Sequence, residues 1–88
     1  MQIEITSKFR KQINDCRDKQ LRSKVLSIID QVIAVDNMNG VNNLKKLTGY
    51  KNSYRIRMGN YRIGVLIDNN VVVFAAFDHR SDIYKYFP

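Results

Sequence analysis

An α+β fold is predicted, of order β-α-α-β-β-β, with an N-terminal helical hairpin packed on an antiparallel sheet and a short C-terminal helical turn. Three features of the 88-residue sequence point to it. Apolar residues repeat every three or four positions as far as about Asp36, alternate from Tyr54 to Ile67, and run almost unbroken from Val71 to Phe77. These are the periods of an amphipathic helix, a half-buried strand and a strand covered on both faces.

Ile3 and Ile5 stand two apart, which predicts a short first strand over Met1 to Thr6. Ser7 is placed to cap a helix in which Phe9, Ile13 and Cys16 share one face while Arg10, Lys11 and Asn14 turn to water. A second helix runs from Lys19 to Asp36 behind the capping residue Asp18, with Leu21, Val25, Ile28, Val32 and Val35 as its stripe. Leu26, Ile29 and Ile33 widen that stripe, so the hairpin of helices needs a sheet to cover it. Asn37 to Gly40 ends the helix, and Val41 to Ser53 is expected to be irregular, with Leu44 and Leu47 packing as one helical turn. Gly59-Asn60 and Asn69-Asn70 then divide three strands, the last being Val71 to Asp78.

No linker or repeat interrupts the chain, and residues 1–88 are expected to form a single domain. At 44% hydrophobic and 26% charged, the sequence is too apolar to be intrinsically disordered. No apolar run approaches the roughly 18 residues of a membrane span. The N-terminus also lacks the basic-then-apolar order of a secretory signal, so a cytoplasmic protein without a membrane partner is expected. Cys16 has no disulfide partner, and with His79 alone it cannot complete a four-ligand zinc site, so neither a metal nor a cofactor is expected. Cys16 reads as a small buried hydrophobe.

Charge is the strongest functional signal. Fifteen Lys and Arg stand against eight Asp and Glu, a formal net charge of +7, which favours an anionic partner. Residues 45–88 carry +5 of it, which makes the second half the binding half. With Gly59-Asn60 as a two-residue turn, Arg57 faces Arg62 and Arg55 faces Gly64, which puts three arginines on one face. Like charges directly opposite are destabilising, and a polyanion supplies the compensation. Gly64 is expected to leave an open floor beside Arg55. Lys45, Lys46 and Lys51 extend the RNA-binding candidates on the N-terminal side. Asp78-His-Arg-Ser-Asp-Ile-Tyr84 gathers polar groups after the most apolar strand, where a helical turn from Ser81 brings Tyr84 towards the cations.

Leu44-Lys-Lys-Leu-Thr-Gly49, Tyr54-Arg-Ile-Arg-Met-Gly-Asn-Tyr-Arg62 and His79-Arg-Ser-Asp-Ile-Tyr84 together resemble the RelE/ParE superfamily of bacterial toxins from toxin–antitoxin systems. The resemblance spans nearly the whole chain. It implies a ribosome-dependent endoribonuclease that cuts messenger RNA and is silenced by a cognate antitoxin, or, in the ParE-like branch, a DNA gyrase inhibitor. In RelE-type toxins basic residues match Arg55 and Arg57, an arginine matches Arg62, and a tyrosine matches Tyr84. The sequence departs at Asp78, where the RelE pattern has a basic catalytic residue, so either Arg80 substitutes or cleavage is weakened. Some relatives place a histidine near the C-terminus, which makes His79 a candidate.

Metal-free cleavage by the RNA's own 2′-hydroxyl needs a base for that hydroxyl, cations for the crowded phosphate and an acid for the leaving oxygen. Arginine stays protonated below about pH 12, so Arg55, Arg57, Arg62 and Arg80 are read as phosphate-stabilising groups, and Tyr84 or His79 as the proton-transfer group. A noncatalytic RNA-binding domain is the remaining alternative. The element order differs from common RNA-binding modules, and no exposed aromatic pair for base stacking is evident on the strands.

Overall fold

A computed structural model describes residues Met1–Pro88. Five strands form one mixed sheet in the order β1-β5-β4-β3-β2: β1 (Gln2–Ile5), β2 (Leu44–Lys46), β3 (Ser53–Met58), β4 (Tyr61–Asp68) and β5 (Val71–His79). Helices α1 (Ser7–Asp15) and α2 (Lys19–Ala34) cover one face, and 3-10 turns occupy Met38–Gly40 and Ile83–Lys85. The α+β class and the helices-on-sheet arrangement are as the sequence predicts. β1 runs parallel to β5, and every other pairing is antiparallel.

Thr6, one residue ahead of the expected Ser7, caps α1: its hydroxyl accepts from the Phe9 amide at 3.1 Å and donates to the Phe74 and Ala75 carbonyls. The cap therefore also rivets the helix to β5. Asp18 caps α2 as predicted, accepting from the Leu21 amide at 3.1 Å, and α2 stops at Ala34 short of Asp36. Val25, Ile29 and Val32 of α2 join Phe9, Ile13, Ile56, Ile63, Val65, Val72, Phe74 and Phe77 in the main core. Leu26 and Ile33 lie outside this core and are about half exposed. Cys16 ends α1 half-buried against the core.

The segment expected to be irregular contains β2, which pairs Leu44 with Ile56, Lys45 with Arg55 and Lys46 with Tyr54. It is an edge strand, not a helical turn. Asn43 precedes it at φ 66°, and its carbonyl takes both the Arg57 amide at 3.1 Å and the Arg55 guanidinium at 2.6 Å. The two tight turns are as expected: Gly59 takes the left-handed conformation at φ 59°, and Asn69 and Asn70 do so at 49° and 65°.

On the face away from the helices, Ile83 and Phe87 of the C-terminal segment pack with Ala76 against Leu47, Leu66 and Ala75. β5 is thus covered on both sides, as its apolar run predicts. The open floor expected at Gly64 is absent, because a Cβ there would meet the Phe87 ring at 2.6 Å. The glycine makes room for the protein's own aromatic ring.

Candidate functional site

Strand parity sorts the candidate residues into two faces. Arg57 lies opposite Arg62, Arg55 opposite Gly64, and Lys45 opposite Arg55. All four basic residues therefore belong to the face that carries Phe87 and Ile83. The predicted β3–β4 register holds at every position. None of these residues is in an ion pair, since the pairs in the molecule are Lys11–Asp15 and Lys85–Asp82.

The opposition of Arg57 and Arg62 is relieved within the protein. Arg62 folds back on its own turn and donates to the carbonyls of Gly59 at 2.7 Å and Tyr61 at 2.9 Å. Both bonds come from Nη1, so the planar fork has a fixed origin while Nη2 and Nε are left to donate outward. Arg57 lies beyond the end of β2, is exposed, and lines a cleft shared with Lys24 of α2. Arg80 is tied to the same end of the sheet, its amide donating to the Asn60 carbonyl at 2.8 Å. The β3–β4 turn therefore gathers Arg57, Arg62 and Arg80, with Arg55 and Lys45 one row further in.

Of the C-terminal aromatics, Phe87 is buried on Gly64, and the Tyr86 hydroxyl accepts from Gln12 at 2.7 Å and donates to Asp78 at 3.0 Å. Lys8 stands 3.7 Å over the Tyr86 ring. Burial raises the Tyr86 pKa above 10.0; the Gln12 hydrogen bond opposes this, and Asp78 adds to it. Tyr84 is left 48% exposed, on a turn that Ile83 anchors to the arginine face. It is the aromatic of this segment whose hydroxyl is uncommitted.

His79 is separated from the arginines. A bulge in the β4–β5 ladder at Gly64/Val65 leaves Ala75 unpaired and sets Arg62 opposite Asp78 and Tyr61 opposite His79. The imidazole stands edge-on to Tyr61, which stacks on Phe77 on the helix-covered side. Tyr61 and Phe77 help wall a cleft in which Asp15, Asp18 and Asp78 outnumber the one cation, Arg17, a poor setting for a phosphate. The Ser81 amide donates to Nδ1 at 3.1 Å, so a neutral His79 ring carries its proton on Nε2. Lys46 alternates to the face opposite Lys45 and, with Lys51, lines a groove beside Tyr50 at the β2–β3 turn. The structure therefore unites Arg55, Arg57, Arg62, Arg80 and Lys45 around one end and face, with Tyr84 over that face, and sets His79, Lys46 and Lys51 apart.

Sequence reasoning missed three positioning residues: Asn43, whose carbonyl holds Arg55; Gln12, which ties Tyr86; and Phe87, which fills Gly64. The only local signal among them was Asn43 itself, an asparagine suited to the left-handed backbone it adopts.

Residues 3–84 match the family model described as "ParE toxin of type II toxin-antitoxin system, parDE". The chain is 42% identical over 72 residues to Toxin RelE3 of Methanocaldococcus jannaschii, covering 77% of this chain and 78% of that protein. Its fold is similar to the toxin of the RelB–RelE antitoxin–toxin complex from Methanococcus jannaschii, with a TM-score of 0.83, 33% identity and coverage of 97% and 99% of the two chains. It also superposes on the YoeB dimer structure from Staphylococcus aureus, with a TM-score of 0.72 over 91% of this chain and 97% of that one; at 15% identity this match speaks for the fold.

Proposed function

The chain belongs to the ParE toxin family of type II toxin–antitoxin systems and is RelE-like, and from that premise we propose that it arrests translation by cutting messenger RNA on the ribosome. The observation that carries this reading is the set of arginines at the β3–β4 turn, none neutralised by a carboxylate, on the sheet face to which Ile83 anchors the turn carrying the exposed Tyr84. An arginine fork whose orientation is already set by Gly59 and Tyr61 suits a phosphate that gains charge as the 2′-hydroxyl attacks it. Arg62 is assigned to that phosphate, with Arg57 and Arg80 flanking it and Arg55 and Lys45 holding the strand that approaches.

Proton transfer falls to Tyr84. His79 lies on the other side of the sheet with Nδ1 occupied, whereas the Tyr84 phenol is free and stands on the cationic side. No step needs a metal or cofactor. Lys46 and Lys51, in their separate groove, are assigned to RNA beyond the cleavage point.

The inhibitor is a cognate antitoxin of the RelB kind. Matched toxins from Methanococcus jannaschii, Pyrococcus horikoshii and E. coli were solved as complexes with such partners. The apolar groove between α1 and α2, lined by Ile5, Ile13 and Leu26, suits an amphipathic segment of that partner.

Controlled expression in bacteria followed by mapping of mRNA 5′ ends tests the proposal. Wild-type protein is expected to generate cuts at translated codons, and Arg62→Ala to abolish both cuts and growth arrest while remaining folded. Undiminished cutting by that variant removes the assigned site. Supercoiling defects without mRNA cuts would instead place the protein with gyrase inhibitors, the activity for which the matched family model leaves room.

A further inference from the structure

We infer that the cleft between α2 and the β3–β4 turn is a second phosphate subsite, holding the RNA backbone beyond the linkage that is cut. The inference rests on the nuclease reading above but uses different residues. The cleft has a volume of about 330 Å³ and is lined by Lys24, Ser27 and Ile28 of α2 with Arg57, Met58 and Gly59 of the hairpin. Its lining residues are one-signed: Lys24 and Arg57 are cationic, Ser27 is a neutral alcohol, and none is acidic. Neither cation is in an ion pair.

Its geometry is fixed from below. Ile28 and Met58 both pack against the main core, which sets the distance between helix and hairpin. Lys24 and Ser27 stand three apart on α2, so both present the same helical face to the cleft. At the rim, a Cβ placed on Gly59 would find no atom within 4 Å, so the turn leaves open space. Arg57 joins the two sites. By register it belongs beside Arg62, and past the end of β2 it is among the residues that line this cleft. Phosphates of one strand thus have a continuous cationic path from Arg62 over the turn to Lys24. Arginine supplies a directional fork, and lysine a point charge of adjustable reach.

The test is fluorescence-anisotropy titration of a single-stranded 2′-O-methyl oligoribonucleotide, which cannot be cut because its nucleophile is blocked. Wild type, Lys24→Gln and Lys19→Gln are compared between 0.05 and 0.5 M KCl. Lys19 is exposed on the same helix but outside the cleft, and so controls for net charge. Loss of one phosphate contact is expected to flatten the plot of log affinity against log salt by about 0.7, which is about fivefold in affinity for each tenfold change in salt. Lys24→Gln should show this loss and Lys19→Gln should not. Equal slopes for Lys24→Gln and wild type, or equal losses in the two variants, overturn the subsite. The two readings fail separately. A wild type that binds with the Lys24-dependent slope yet cuts nothing defeats the nuclease and leaves the subsite standing.

Discussion

Arg62 is held by two backbone carbonyls of its own turn, at 2.7 and 2.9 Å, so its orientation is set before any substrate arrives. Lysine at that position keeps the charge but cannot hold both carbonyls and still present a planar fork to a phosphate. Arg62→Lys is therefore expected to retain most of the affinity for RNA and to lose about ten- to a hundredfold in cleavage rate, the scale of one charge-assisted hydrogen bond. Single-turnover cleavage at saturating substrate measures this. Tyr84 and His79 are separated at the same scale. Tyr84→Phe keeps the ring and deletes the hydroxyl, so cleavage should fall by about 10²–10⁴, the usual contribution of a positioned acid or base, with binding unchanged. His79→Ala should leave the cleavage rate near wild type. The reverse ranking would move the chemistry to the helix-covered side of the sheet.

At the scale of elements, the C-terminal turn is held on the sheet by Ile83 and Phe87, and Gly64 is the position that admits the Phe87 ring. Gly64→Ala forces that ring to move, at a cost of about 1–3 kcal/mol, the usual range for overpacking. A terminal segment yields more readily than a central strand, so displacement of the turn, and Tyr84 with it, is the expected response. The variant should therefore lose cleavage out of proportion to its lowered urea midpoint. Thr6→Ala acts on α1: removing the cap is expected to cost about 1 kcal/mol. It also deletes the links to Phe74 and Ala75, and it should leave cleavage by the folded fraction unchanged. These elements differ in how readily their sequence announces them. The β3–β4 pairing was legible because Gly59-Asn60 fixes a two-residue turn and every cross-strand partner then follows. β2 was not, since Leu44-Lys45-Lys46 offers one apolar residue and no alternation, and it exists as a strand because β3 supplies a template.

For the molecule as a whole, what the sequence concealed was contact between distant segments. Asn69-Asn70 predicts the β4–β5 turn, but the bulge that leaves Ala75 unpaired shifts the register by one residue and carries His79 away from the arginines. In the same way, nothing local to Tyr86 indicates that it will meet Lys8 and Gln12 of α1 and Asp78 of β5. That junction ties α1, β5 and the C-terminus together, and its titration reports on all three. Burial, aided by Asp78, raises the Tyr86 pKa above 10.0, so the folded protein keeps the phenolic proton at a pH where the unfolded chain has begun to release it. The resulting stabilisation is complete below pH 10 and is lost as pH rises through the folded-state value. Urea midpoints for wild type should therefore fall more steeply between pH 9 and 11 than those of Tyr86→Phe, which has no proton to lose. The two curves should run parallel between pH 7 and 9, offset by the lost hydrogen bonds to Gln12 and Asp78. Since every other tyrosine is present in both proteins, the difference between the curves isolates Tyr86. Parallel curves through pH 11 would mean that folding leaves the Tyr86 proton no harder to remove, and that the junction acts through its hydrogen bonds alone.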